Sequence, residues 1–167
     1  MFPVLIRDLP CSLTLHEIDN STFQIGPFTI QSNYIIHPGP TVGFRVSGKQ
    51  SVFTYIPDHE PALGRHGMIE DEQWVSGIDL ARGADLLLHD AQYTAGEYVT
   101  KKGWGHSSID DATIFASVAG VKHLLFAHHD PARSDDELNE LYAAFKNNNT
   151  YNFKYELARE GMEIILP

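Results

Sequence analysis

Short apolar runs that stop abruptly at polar residues set the rhythm of the chain. Residues 84–93 (ADLLLHDAQY) and 124–131 (LLFAHHDP) each run apolar and then end at His and Asp. Such a run reads as a buried strand whose carboxyl end opens into a polar crevice. Between them GWGHSS, residues 103–108, sets a histidine in a Gly-flanked turn, and Ser-Ser-Ile-Asp-Asp opens a helix to about Ala119. The strands there span residues 85–89 and 122–127, giving a strand–helix–strand unit. Downstream, a helix over residues 134–147 starts at a Ser134/Glu137 capping box and breaks at Asn147-Asn148-Asn149. Residues 153–157 and 162–166 read as a strand pair around Arg159-Glu160-Gly161.

Upstream the pattern is one of hairpins. Residues 13–18 alternate, predicting a strand with His16 on its polar side. Residues 23–25 and 28–36 flank Gly26-Pro27, and the second strand ends in the stiff turn His37-Pro38-Gly39-Pro40. Residues 41–47 and 51–56 flank Gly48-Lys49-Gln50, a tight hairpin loop, and the run closes on Pro57-Asp58-His59-Glu60-Pro61. A polar, Gly-containing excursion over residues 63–68 leads to a helix over 70–82 closed by Gly83. No repeat, linker or low-complexity stretch interrupts the pattern, which predicts one α/β domain over residues 1–167, strands first.

Composition adds three constraints. No window is long or apolar enough to span a membrane, and the opening MFPVLIRDLPCSL, interrupted by Arg7 and Asp8, reads as an extended segment and not a signal peptide. A single cysteine, Cys11, excludes an internal disulfide and fits a reducing, cytoplasmic setting. A net charge of −10 argues against broad phosphate-backbone binding, so nucleic acid is an unexpected partner and a small-molecule ester the expected substrate.

Nine histidines are the compositional oddity, and several stand where strands end. His37, Asp58, His89-Asp90 and His128-His129-Asp130 share that position. A hydrolytic zinc or manganese centre needs imidazole nitrogens and carboxylate oxygens with a position left open for water. His106 could act as a general acid toward a leaving oxygen, oriented by a carboxylate such as Asp90. A single strand-end histidine is more often a hydrogen-bonded structural residue; four strand ends alike shift the balance toward a site. His16, His66 and His123 read as structural, and Tyr93 and Trp104 as pocket-lining or, more ordinarily, packing. No phosphate-cradling glycine loop, serine-hydrolase elbow or CxxC pair is present.

In YIIHPGPTVGFRV, the strand ending FTYIPD, ADLLLHDAQY, GWGHSS and LLFAHHDP, the chain resembles the metallo-β-lactamase superfamily, in its tRNase Z and phosphodiesterase-like branch. The resemblance implies an αββα sandwich, of which this chain has material for about the second half. By position, His37 and His128 resemble metal-binding histidines of that family and Asp58 the carboxylate bridging two ions. His106 resembles the catalytic histidine, with Asp90 where its acidic partner stands. The implied activity is hydrolysis of a phosphodiester or similar small ester by a metal-bound hydroxide, with His106 protonating the leaving group.

The family's HxHxDH motif, which supplies two ligands to each ion, is absent from the sequence. With Asp58 bridging, each of two zinc or manganese ions would keep two protein ligands, where catalytic zinc takes about three. The chain therefore reads as a truncated, mis-started or fragmentary member. Its exposed sheet face is expected to drive homo-oligomerisation or to meet a partner chain carrying the missing half. The rival reading is an inactive remnant serving as a binding module.

Overall fold

The structure, a computed structural model, describes residues 8–61 and 74–167. Seven strands form one mixed sheet in sequential order: β1 (Ser21–Ile25), β2 (Phe28–Tyr34), β3 (Val42–Ser47), β4 (Val52–Ile56), β5 (Leu86–Asp90), β6 (His123–Ala127) and β7 (Lys154–Leu157). β1 to β4 form an antiparallel meander, and β4 to β7 run parallel. The helices are α1 (Ile78–Ala81), α2 (Ala95–Lys101), α3 (Ile109–Val118) and α4 (Asp135–Asn148). The change from hairpins to strand–helix–strand thus stands where the pattern set it.

Alternation assigns the two faces of the sheet. Ile56, Leu87, Leu124, Phe126 and Leu157 pack with Leu80 of α1 and Phe115 of α3 into the core. Leu138, Tyr142 and Phe145 of α4 close its edge. Gly43 faces that core at Leu80 and Ile56, where a β-carbon would crowd Leu80 Cδ1 at 2.9 Å. The opposite face presents Val46, Phe53, Leu86, Leu88 and Leu125 to an open apolar hollow. One β layer thus carries the helices on one of its faces.

Local signals fix the helix starts. Ser108 caps α3 by accepting from Asp111 N, and Ser134 and Glu137 form a reciprocal capping box on α4. Thr94 and Glu97 form a second capping box that starts α2, a helix the hydrophobic pattern does not predict.

Three expectations are corrected. Residues 13–18 form no strand: they precede β1, pair with no strand among the described residues, and leave Leu13 and Leu15 50% and 74% exposed. Residues 162–166 form no strand either; β7 pairs with β6, and Met162, Ile164 and Leu166 line the hollow on the open face instead. The helix expected over 70–82 lies partly outside the described residues. Within them only Ile78–Ala81 is α-helical, because Gly77 at its start takes a left-handed φ of 74°.

Candidate active site

Parallel strands β4, β5 and β6 all finish on the same edge of the sheet, and each delivers a polar side chain to that rim. Asp58 follows β4, Asp90 ends β5, and His128 follows β6. His37 follows β2, which runs the same way as β4 across the antiparallel meander. His106 reaches the rim from the loop between α2 and α3. The structure brings all five residues together.

His128 Nε2 lies 3.0 Å from Asp58 Oδ1. One ligand-type atom from each of Asp58, His106 and His128 falls within 4.8 Å of the others. The His106 ring stacks on that of His128 at 4.8 Å between centroids and meets His37 edge-on at 5.3 Å. Two imidazoles and a carboxylate at this spacing are a donor set suited to zinc or manganese. His37 stands beside the trio, its Nδ1 3.0 Å from the carbonyl oxygen of Gly105.

Asp90 is fully buried, and both its oxygens are engaged. Oδ2 accepts from His106 Nδ1 at 2.7 Å and from His59 N at 3.1 Å; Oδ1 accepts from Gln92 N at 3.1 Å and Ser107 N at 3.4 Å. That bond to Asp90 is the main reason the His106 imidazole holds its proton above the usual histidine range, against the opposing effect of its partial burial. With Nδ1 committed to Asp90, Nε2 is the nitrogen left to exchange a proton. His128 is the single non-glycine residue with positive φ, 55°, among the described residues. A histidine held in that left-handed conformation is placed by its surroundings and not by its own preference.

Beneath the rim lies a buried layer that the sequence pattern does not single out. Glu60 is 1% exposed, and three donors converge on it. Tyr98 Oη and Gly103 N donate to Oε1 at 2.7 and 2.8 Å, and Gly105 N donates to Oε2 at 2.8 Å. This carboxylate therefore fixes the turn that carries His106. Gly105, at φ 92°, backs directly onto His37 and Pro38, leaving no room for a β-carbon. His59 Nδ1 and His89 Nε2 pair at 2.9 Å against the Phe115 ring, so His89 faces the core and not the rim. Arg133 donates to both Glu97 oxygens at 2.8 Å and to Gln92 O at 3.2 Å, fastening the segment after His128 to α2.

The aromatic residues divide. Tyr93 is 5% exposed and packs beside His106, as packing residues do. Trp104 is 56% exposed, which the packing reading does not cover. His123 Nε2 lies 2.7 Å from Glu156 Oε1 at the far end of β6, and His16 is exposed before β1. His66 lies outside the described residues.

Comparison with known proteins gives these groups a context. The chain is 31% identical over 182 positions to the ribonuclease Z of Staphylococcus aureus (strain MSSA476), covering 86% of this chain and 60% of that protein. It is 38% identical over 82 residues to the ribonuclease Z of Brevibacillus brevis, covering 47% of this chain and 25% of that protein. The chain thus spans less than two thirds of the length of these relatives, 60% and 25% respectively. Among solved structures, the short form of human tRNase Z superposes with a TM-score of 0.61 at 24% identity, over 87% of this chain and 46% of that one. The Bacillus subtilis metallo-β-lactamase fold protein YhfI gives 0.64 at 22% identity, over 86% and 52%.

These relatives correct the expectation that nucleic acid is an unlikely partner, since they carry the name of a ribonuclease. The physical reason is that net charge sums over a whole surface, whereas a nucleic acid meets only the potential around its own contacts. No helix among the described residues is long and apolar enough to cross a membrane. Residues 2–129 match the profile of the Beta-lactamase superfamily domain, and with its metallo-β-lactamase fold the chain belongs to that superfamily.

Proposed function

We propose that this chain carries the proton-donating side of a metal-dependent phosphodiesterase site whose substrate is RNA. The observation that carries the reading is the pairing of Asp58 with His128 at 3.0 Å beside a His106 held by Asp90 at 2.7 Å. Asp58 and His128, with His37 alongside, would hold zinc or manganese. When bound, the metal would supply Lewis acidity and an activated water.

The chain's own residues do the rest. Asp90 orients His106 through Nδ1 and favours its protonated form, so Nε2 can deliver a proton to the leaving oxygen of a phosphodiester. Glu60 keeps the His106 turn in register, and buried Ser107 ties it to the β4 end by donating to His59 O at 2.6 Å. Asp58 and His128 reach the rim from different strand ends, and the His106 ring stacks on that of His128 at 4.8 Å between centroids.

The spacing of Asp58, His106 and His128 within 4.8 Å favours a second reading, in which His106 Nε2 is a third ligand to one ion. The absence of HxHxDH from the sequence supports a third, a binding module without catalysis. Further ligands supplied by another segment or chain would complete the hydrolase site.

Elemental analysis of protein purified without chelator, with hydrolysis of a short RNA and of bis(p-nitrophenyl) phosphate, separates these readings. The first expects bound metal that survives His106→Ala while hydrolysis is lost. The second expects His106→Ala to release the metal. RNA binding with neither metal nor hydrolysis leaves the binding module.

A further inference from the structure

We propose that Trp104, with Lys101, is a stacking platform for an unpaired nucleobase of the RNA substrate, next to the reacting phosphodiester. The choice of RNA rests on the function proposed above; the platform itself rests on geometry. Trp104 stands two residues before His106 in the loop that brings that histidine to the rim. It is 56% exposed, whereas the neighbouring Tyr93 is buried.

The backbone around Trp104 is pinned on both sides. Gly103 N and Gly105 N both donate to buried Glu60, and Trp104 N donates to Lys101 O at 3.1 Å. Gly105 is backed by His37 and Pro38. A large aromatic side chain held out on a braced turn pays little ordering entropy when a flat partner stacks on it. Lys101 Nζ lies 3.9 Å from the indole centroid, so it covers a single face and sets a positive charge at the ring.

That combination, an aromatic face beside a cation, is how single-stranded nucleic acid is held without base-specific hydrogen bonds. It also lets a chain of net charge −10 grip a polyanion: the base contributes through its π-face, and Lys101 with the adjacent Lys102 supplies local positive charge. A double-stranded segment offers no free base face, so the occupant is an unpaired end or loop.

The test uses the full chain in a Trp74→Phe background, leaving Trp104 as the sole reporter of the two tryptophans. Hexaadenylate RNA is titrated while Trp104 fluorescence is followed, with the RNA recovered intact on a gel. Saturable quenching is expected. In anisotropy titrations with labelled hexaadenylate, Trp104→Leu is expected to weaken binding about 5- to 100-fold and Trp104→Phe to restore part of it. Lys101→Ala should lower the steepness of the salt dependence by less than about one unit of log–log slope. A Trp104→Leu protein that binds as tightly as its parent, or a parent whose Trp104 does not respond to RNA, overturns the proposal. Trp104-dependent binding without hydrolysis of any phosphodiester removes the hydrolase reading alone. Hydrolysis without Trp104-dependent binding removes the platform alone.

Discussion

His106 Nδ1 lies 2.7 Å from Asp90 Oδ2, and Asp90 does not need His106 to hold its place. Three backbone N–H groups, from His59, Gln92 and Ser107, bond the same carboxylate. The carboxylate is thus fixed by the scaffold, and the histidine is aimed by the carboxylate. If His106 is the proton donor, His106→Ala should lower phosphodiester hydrolysis by about 10²- to 10⁴-fold. Asp90→Asn should cost less and change the pH profile. His106 is raised above the usual histidine value chiefly by its bond to Asp90, so the donor form persists to higher pH than in a free imidazole and is lost as pH rises through the raised value. Removing the charge should move the alkaline limb of the rate profile to lower pH. An unmoved limb would mean that His106 is not the acid being observed.

The left-handed backbone of His128 implies a conflict between stability and function. A non-glycine residue in that region costs about 1–2 kcal/mol, and the half-exposed contact to Asp58 returns little of it. His128→Gly should therefore leave the denaturation midpoint of chelator-treated protein unchanged or raised while abolishing metal retention. A destabilisation beyond about 2 kcal/mol in that metal-free protein would show that the histidine side chain, and not strain relief, dominates there.

Gly105 is irreplaceable for two independent reasons. Its φ of 92° disfavours any β-carbon, and such an atom would run into His37 and Pro38. Gly105→Ala should destabilise by about 2 kcal/mol or more and displace both His37 and His106. Urea denaturation followed by circular dichroism checks the first. Crosspeak shifts of both imidazoles in a histidine-labelled spectrum check the second. Gly103→Ala meets no atoms within 4 Å and should cost only its backbone strain.

Much of this fold stands in the sequence because its signals are local. The apolar runs of β5 and β6 end where the pattern ends, and Ser108 and Ser134 cap the helices they announce. The alternation of residues 13–18 misleads because alternation says that a segment could pair and not that a partner exists. Helix α2 was written in Thr94-x-x-Glu97, a capping box, but the Gly96 inside it and the lack of an apolar stripe hide it from periodicity. The five rim residues are legible as strand-end and turn positions. Glu60 is not, since its role comes from donors 38, 43 and 45 residues away.

Those three donors make Glu60 a test of the support beneath the rim. Glu60→Ala would leave Tyr98 Oη, Gly103 N and Gly105 N without their carboxylate, at about 1–3 kcal/mol for each donor that water cannot reach. Glu60→Gln keeps a carbonyl oxygen for one side and turns an N–H₂ toward the other, so it should cost less. Both substitutions should impair hydrolysis through the misplaced His106 turn, with Glu60→Gln the milder. Equal stability of all three proteins in urea would mean that solvent satisfies the turn.

The buried pair of His59 and His89 sets a pH dependence opposite in sign to that of His106. Their rings meet at 2.9 Å between Nδ1 and Nε2, enclosed with Phe115. Burial is the leading cause that pushes both below the ordinary value of 6.5, and for His59 the neighbouring imidazole adds to it. In the unfolded chain both would titrate near 6.5, so on acidification the unfolded state takes up protons first. The stability these residues contribute is present in full above pH 6.5 and drains away as pH falls from there through the folded values. His106 contributes the reverse, stability held below pH 6.5 and lost as pH rises through its raised value. Thermal denaturation in chelator should therefore show a midpoint that falls between pH 6.5 and 5, and His89→Asn should flatten that slope while lowering the plateau. A midpoint flat from pH 8 to 5 would mean that the pair accepts a proton within the fold, and that its burial does not govern acid stability.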